Sequence, residues 1–207
     1  FMRVELNSRK IGVLLSGRGS NFKAIADQID QGALDAEIAV VVSNKESAPG
    51  LSEARRRGLK TVYLASSGLK REEYDHTVVA LLKENDVALV CLVGFTRILS
   101  PVFVQALPLR TLNIHPSLLP AFPGLDAQRQ ALEHGVRFSG CTVHFVDESL
   151  DGGPIVCQAP VPVLDGDTVE DLSDRILVEE HRLYSEAIGI VLDGRCEIRE
   201  RRVVMYK

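Results

Sequence analysis

Apolar positions in the first half of the chain fall in short unbroken runs. These are residues 11–15 (IGVLL), 38–42 (IAVVV), 61–65, 87–93 (VALVCLV) and 111–114. Runs of this length, without alternation, predict strands buried on both faces. Between them lie segments with apolar residues at helical spacing, at 21–29, 51–58 (LSEARRRG) and 70–83. Alternating strand and helix patterns predict an α/β fold with a doubly wound, mostly parallel sheet and a Rossmann-like N-terminal half. After about residue 136 the pattern changes. Residues 141–147 (CTVHFVD) and 155–163 (IVCQAPVPV) alternate, and Pro160 and Pro162 favour an edge or irregular strand for the second. A long helix is predicted from Val169 to about Leu192, entered through Thr168 and Asp171 at capping-box spacing. The ending CEIRERRVVMY predicts a small hairpin. With no repeat or linker, 1–207 reads as one domain, with a phosphate-binding half at about 1–110 and a mixed half at about 111–207.

Composition narrows the partners. A net charge of -4 gives no electrostatic case for nucleic acid or an anionic membrane, and no segment approaches a membrane span. Cys91, Cys141, Cys157 and Cys196 form no C-x-x-C pair, so no zinc ribbon or thioredoxin motif is expected. A reduced, cytoplasmic setting fits these thiols, and FMRVELNSRK has no apolar signal core. No two histidines have metal-ligand spacing, so no metal is expected. Arg55, Arg56 and Arg57 read as a solvated helix end.

Four stretches carry candidate chemistry. SGRGSN (16–21) joins the first strand to the first helix. Gly17 and Gly19 allow close backbone approach, and the amides of Gly19, Ser20 and Asn21 at a helix N-terminus suit a phosphate. Phe22 stands at the third position of a dinucleotide fingerprint, so a phosphate monoester fits better; a plain tight turn is the competing reading. In RTLNIHPSLLPAFPGL (110–125), Asn113 and His115 share one side of a strand at its carboxyl end. An amide and an imidazole there can stabilise an oxyanion and move a proton; a turn residue and a satisfied polar side chain are the alternatives. In LDGGPI (150–155), Asp151 on a glycine loop would favour imidazolium if it met His115, or would simply form an Asp-Gly turn. Glu180 falls in the apolar stripe of the long helix with Leu172, Ile176, Leu183, Tyr184 and Ala187, so it needs an internal partner such as Arg, or sugar hydroxyls. His144, on an alternating strand, lines a pocket or packs.

Five blocks in order, SGRGSN, SNKESAPGL, GFTRILSP, LNIHPSLLPAFPGL and LDGGPIVCQAPVPV, resemble the phosphoribosylglycinamide formyltransferases and cover most of the chain. The resemblance implies formyl transfer from 10-formyltetrahydrofolate, as co-substrate, to the amino group of N1-(5-phospho-D-ribosyl)glycinamide in de novo purine (IMP) synthesis. It implies a catalytic set of Asn113, His115 and Asp151. Gly19, Ser20 and Asn21 would hold the substrate phosphate and Glu180 its ribose. Thr96, Arg97, Ile98 and Leu99 would line the folate pocket with Asn113. The loop of Asp147, Glu148, Ser149, Leu150 and Asp151 would close over the pteridine, and Arg71 would lie near the folate tail. The partners implied are small molecules, for a monomer or homodimer. Two departures stand out: GLDAQ puts Asp126 and Gln128 where the family often has histidines, and Thr96 stands where Met is frequent. The 10-formyltetrahydrofolate hydrolases share the Asn/His/Asp set and are the alternative, though they have Asp-Glu-Gly where this chain has Asp151-Gly152-Gly153. The methionyl-tRNA formyltransferases carry a further C-terminal domain, and a charge of -4 does not suit tRNA.

Overall fold

The apolar runs form the strands expected of them. The computed structural model describes residues 2–206. A short β1 (Met2–Arg3) precedes β2 (Lys10–Leu15), α1 (Ser20–Asp30), β3 (Glu37–Ser43), α2 (Pro49–Arg56), β4 (Thr61–Tyr63), α3 (Arg71–Glu84), β5 (Leu89–Val93), α4 (Pro101–Ala106) and β6 (Thr111–His115). The second half adds α5 (Ala127–His134), β7 (Phe138–Phe145), β8 (Ile155–Pro162), α6 (Val169–Leu192), β9 (Cys196–Arg199) and β10 (Arg202–Met205). The strands join one ten-stranded sheet in the order β1-β9-β10-β8-β7-β6-β5-β2-β3-β4. The segment β4-β3-β2-β5-β6 is parallel throughout. β7 and β8 run antiparallel beyond it. Winding reverses between β3 and β5 on either side of β2, which is where open α/β sheets bind ligands at their carboxyl edge.

The continuous apolar runs are explained by two cores. Ile11, Val13 and Leu15 of β2 and Leu89, Cys91 and Val93 of β5 face one core, with Phe22 and Ile25 of α1 and Leu172, Ile176 and Tyr184 of α6. The intervening Leu14, Val90 and Leu92 face the other, with Tyr74, Val78 and Leu82 of α3 and Phe103 of α4. Alternate side chains of one strand are therefore both buried, which removes the polar alternation of a half-exposed strand. Tyr184 ties α6 to the sheet: its hydroxyl lies 2.9 Å from the Leu92 carbonyl and 3.0 Å from that of Leu112.

The long helix begins as its spacing predicts. Asp171 N–H donates to Thr168 Oγ1 at 3.1 Å, and Thr168 N–H donates to Asp171 Oδ2 at 2.8 Å. The terminal hairpin forms as β9 and β10. β8 meets β10 at the pair Arg202↔Ile155, so Pro160 and Pro162 lie beyond that junction, as an edge would require. Three elements go unannounced by the pattern: β1 and α4 are too short to show a period, and α5 buries only Ala127 and Ala131. One expectation is corrected. Arg57 is not solvated; its side chain is 18% exposed and reaches Asp27 at 2.5 Å, Asp30 at 3.0 Å and Glu53 at 2.8 Å, joining α1 to α2.

Candidate active site

Three loops leave the carboxyl edge of the parallel strands side by side, after β2, β5 and β6. β6 ends in Asn113 and His115, paired across to His144 and Thr142 of β7. His115 is buried, with Nε2 2.7 Å from the Phe122 carbonyl and Nδ1 3.5 Å from Asp151 Oδ2. Both neighbours are acceptors, so a ring carrying a proton on each nitrogen satisfies both. The Phe122 carbonyl is set by the loop after β6. Thr142 Oγ1 donates to Ser117 O at 2.7 Å and accepts from Leu119 N–H at 3.0 Å, while Gln158 Nε2 donates to Leu119 O at 2.9 Å. The brace expected from prolines alone is thus shared with side chains of β7 and β8.

Asp151 reaches this strand end from the far side. Its Oδ2 accepts the Gly124 N–H at 2.8 Å, so the FPG and LDGG blocks meet at one carboxylate. Asp151 itself has φ 49°, and a Cβ on Gly153 would stand 1.8 Å from the Phe145 carbonyl. The second glycine is there because β7 leaves no room for a side chain. The Asp-Gly turn and the convergence on His115 are both present.

His144 belongs to the same cluster, and its alternating strand gave only an open choice between packing and pocket. It is 2% exposed. Nδ1 lies 2.9 Å from the Phe145 carbonyl, which only accepts, so Nδ1 carries the proton. Nε2 is then an acceptor, and Asn113 Nδ2 donates to it at 3.3 Å. Burial lowers the pKa of His144, against smaller opposing effects of the Phe145 hydrogen bond and Asp151. A neutral ring therefore decides which way the Asn113 amide points. The signal available in sequence was parity, since residue 144 pairs with 113 once β6 and β7 are known to be antiparallel.

At the β2 loop, Gly19 is the residue before α1, with φ 71° and no side-chain cap. Gly19 and Gly50 touch: a Cβ on Gly19 would lie 3.0 Å from Gly50 Cα, and Gly50 N–H donates to Gly17 O at 3.1 Å. α2 thus buttresses the loop that opens α1. Ser20 is the first helical residue, half-buried. Asn21 and Glu180 are both buried, and Asn21 Nδ2 donates to Glu180 Oε2 at 2.8 Å. The internal partner of Glu180 is therefore an amide and not an arginine. Burial raises the Glu180 pKa, with the Asn21 hydrogen bond opposing.

The β5 loop carries the residues 96–99. Thr96 is exposed and its N–H donates to Ser16 Oγ at 3.0 Å. Arg97 lies 4.4 Å over the Tyr74 ring. Ile98 is 64% exposed, whereas Leu99 packs against the α3–α4 core. Asp147 accepts Ser149 N–H at 2.9 Å, Glu148 accepts from Gln105 at 3.0 Å, and Leu150 is exposed beside Gly124. Arg71 is exposed at the start of α3, apart from the buried cluster. Asp126 precedes α5 with φ 56° and is exposed; Gln128 is half-buried. Among the described residues, no group of three or more His, Cys, Asp or Glu side chains could hold a metal ion, and no helix is long and apolar enough to cross a membrane.

Residues 9–188 match the formyl transferase family. The phosphoribosylglycinamide formyltransferase of Escherichia coli is 44% identical over 191 residues, 92% of this chain and 90% of that protein. The trifunctional purine biosynthetic protein adenosine-3 of Gallus gallus is 43% identical over 99% of this chain, which spans 20% of that longer protein. A solved structure of glycinamide ribonucleotide transformylase 1 from Symbiobacterium toebii superposes with a TM-score of 0.95 at 50% identity, covering 97% of this chain and 95% of that one.

Proposed function

The chain belongs to the formyl transferase family, and we propose that it moves the formyl group of 10-formyltetrahydrofolate to the amino group of N1-(5-phospho-D-ribosyl)glycinamide, in de novo purine synthesis. The observation that carries this reading is the meeting of Asn113, His115 and Asp151 at the end of β6.

The chemistry follows from what each side chain offers. The neutral amine attacks the formyl carbon, and the carbonyl oxygen gains charge as the centre becomes tetrahedral. The Asn113 N–H not given to His144, and the His115 Nδ1–H, which Asp151 faces only at 3.5 Å, donate to that oxygen, while the Phe122 carbonyl and the Asp151 carboxylate orient the ring. Collapse of the intermediate breaks the bond to the folate nitrogen, which takes up a proton as it leaves, while the attacking nitrogen gives one up. No covalent enzyme intermediate is required.

The binding roles divide between the loops. The amides of Gly19, Ser20 and Asn21 receive the ribotide phosphate at the start of α1. Glu180, held by Asn21, takes the ribose hydroxyls, and this arrangement links the two contacts through one hydrogen bond. Thr96, Arg97, Ile98 and Leu99, the loop from Asp147 to Asp151, and Arg71 serve the folate. Residues 1–207 act as one formyltransferase domain, cytoplasmic, as a monomer or homodimer.

The test is formyl-donor consumption measured with and without the ribotide amine. Transfer requires turnover to depend on the amine. Equal turnover without it would sink the proposal and favour a 10-formyltetrahydrofolate hydrolase.

A further inference from the structure

Buried polar atoms without a partner are costly, and folded proteins keep few of them. Among the described residues, four such atoms fall in two short segments: Tyr74 Oη and Asp75 Oδ1 on α3, and Arg97 Nε and Ser100 Oγ on the loop after β5. Asp75 is fully buried, at 0% exposure. Its Oδ2 accepts the backbone N–H of Ser100 at 2.6 Å. One residue earlier on α3, the Tyr74 ring lies beneath the Arg97 guanidinium at 4.4 Å. At the other end of the loop, Thr96 N–H donates to Ser16 Oγ, and Ser16 in turn donates to Asn44 at 2.6 Å.

Residues 95–99 belong to no helix or strand, so no ladder fixes their backbone. Three side chains from outside the segment do so instead: Ser16 at its start, Tyr74 in its middle and Asp75 at its end. Tyr74 and Asp75 come from α3, whose apolar side chains Val78 and Leu82 are locked into the core. A buried carboxylate kept for packing alone is a poor choice, because an apolar residue would fill the space without desolvating a charge. Its evident function is the charge-assisted hydrogen bond to Ser100, which is stronger than a neutral one.

We propose that Asp75 is a positioning residue for the formyl donor: from α3 it fixes the segment 96–100 as one wall of the donor pocket without touching the donor. This rests on the reading that Thr96, Arg97, Ile98 and Leu99 line that pocket. It predicts an effect on one substrate and not the other. The ribotide amine binds at α1 and Glu180, which Asp75 does not contact.

The experiment is steady-state kinetics on the full chain, with each substrate varied in turn, for Asp75→Ala, Asp75→Asn and Ser100→Pro. Asp75→Ala is expected to raise the KM for 10-formyltetrahydrofolate about tenfold, the effect of losing one charge-assisted hydrogen bond. The amine KM should stay within about twofold of wild type, because nothing at its site loses a hydrogen bond. Asp75→Asn keeps an acceptor oxygen for the Ser100 N–H and should restore most of the donor affinity. Ser100→Pro breaks the same contact from the loop side, at a position whose φ of -79° suits proline: its ring Cδ stands where the N–H pointed and displaces the carboxylate, so it gives a second reading of the contact if Asp75→Ala fails to fold. A donor KM unchanged in Ser100→Pro, both KM values rising together, or Asp75→Asn as damaging as Asp75→Ala would overturn the proposal. Ile98→Asp separates the two layers of the argument. If it raises the donor KM while the Asp75 and Ser100 variants do not, positioning by Asp75 is wrong and the donor wall stands. If none of the variants moves the donor KM, the donor-wall reading falls and the proposal with it.

Discussion

His144→Phe tests what holds the Asn113 amide in place. Phenylalanine keeps a flat ring in a position only 2% exposed, but it removes the Nε2 that accepts from Asn113 at 3.3 Å. It also removes the Nδ1–H that donates to the Phe145 carbonyl at 2.9 Å. The Asn113 amide is then free to rotate, and its N–H no longer has a fixed direction toward the developing oxyanion. Losing one such bond, with a half-buried amide left to find water, costs about 1–3 kcal/mol of transition-state stabilisation, or roughly a 5- to 150-fold fall in kcat. Both KM values should change little, because the effect lies in the charge that forms during reaction. The assay is a double-mutant cycle with Asn113→Ala. If His144 acts through Asn113, His144→Phe has almost no further effect once Asn113 is gone. Equal losses in both backgrounds would refute the reasoning. His144 has a lowered pKa, so the neutral, accepting ring persists down to more acidic pH than an ordinary histidine allows, and the kcat profile should show no break from it near neutrality.

Glu180→Gln keeps the hydrogen bond with Asn21 and removes a buried charge. The raised pKa of Glu180 means that the folded state holds the proton more tightly than the unfolded chain, a contribution fully present below the ordinary value and lost as pH rises through the raised one. Wild type should therefore lose stability relative to Glu180→Gln as pH climbs toward neutral in denaturant titrations, while the variant binds the ribotide more weakly at pH 7. Gly19→Ala forces a side chain onto a φ of 71° and 3.0 Å from Gly50 Cα; a cost of about 1–2 kcal/mol is expected from the backbone alone, read as lost stability or a raised amine KM. Arg57→Ala should cost about 1 kcal/mol in thermal unfolding, less at high salt, by unfastening α1 from α2.

The sheet was legible because burial on both faces writes itself as unbroken apolar runs, and the 24-residue α6 because its stripe and cap repeat a local rule. Elements without an apolar run or stripe were not. The six residues of α4 hold too few turns to establish a period, and α5 buries only Ala127 and Ala131, so it shows no apolar stripe and is marked chiefly by Gly135 at its end. At the site, Asn113 and His115 were readable as a pair because parity and strand end are local properties. Of the partners, Asp151 came from the family resemblance, 36 positions from His115, while His144 for Asn113 and Asn21 for Glu180 went unread because those pairs lie 31 and 159 positions apart. Arg57 fails for the same reason: three acidic partners on two helices turn a run that looks solvated into a junction.

The most direct test of the central claim follows an isotopically labelled formyl group from 10-formyltetrahydrofolate by NMR in the presence of N1-(5-phospho-D-ribosyl)glycinamide. The account predicts that the label appears on the glycinamide nitrogen, and that His115→Ala abolishes its appearance while both substrates still bind. Label released as free formate, or transfer at full rate in His115→Ala, would contradict it.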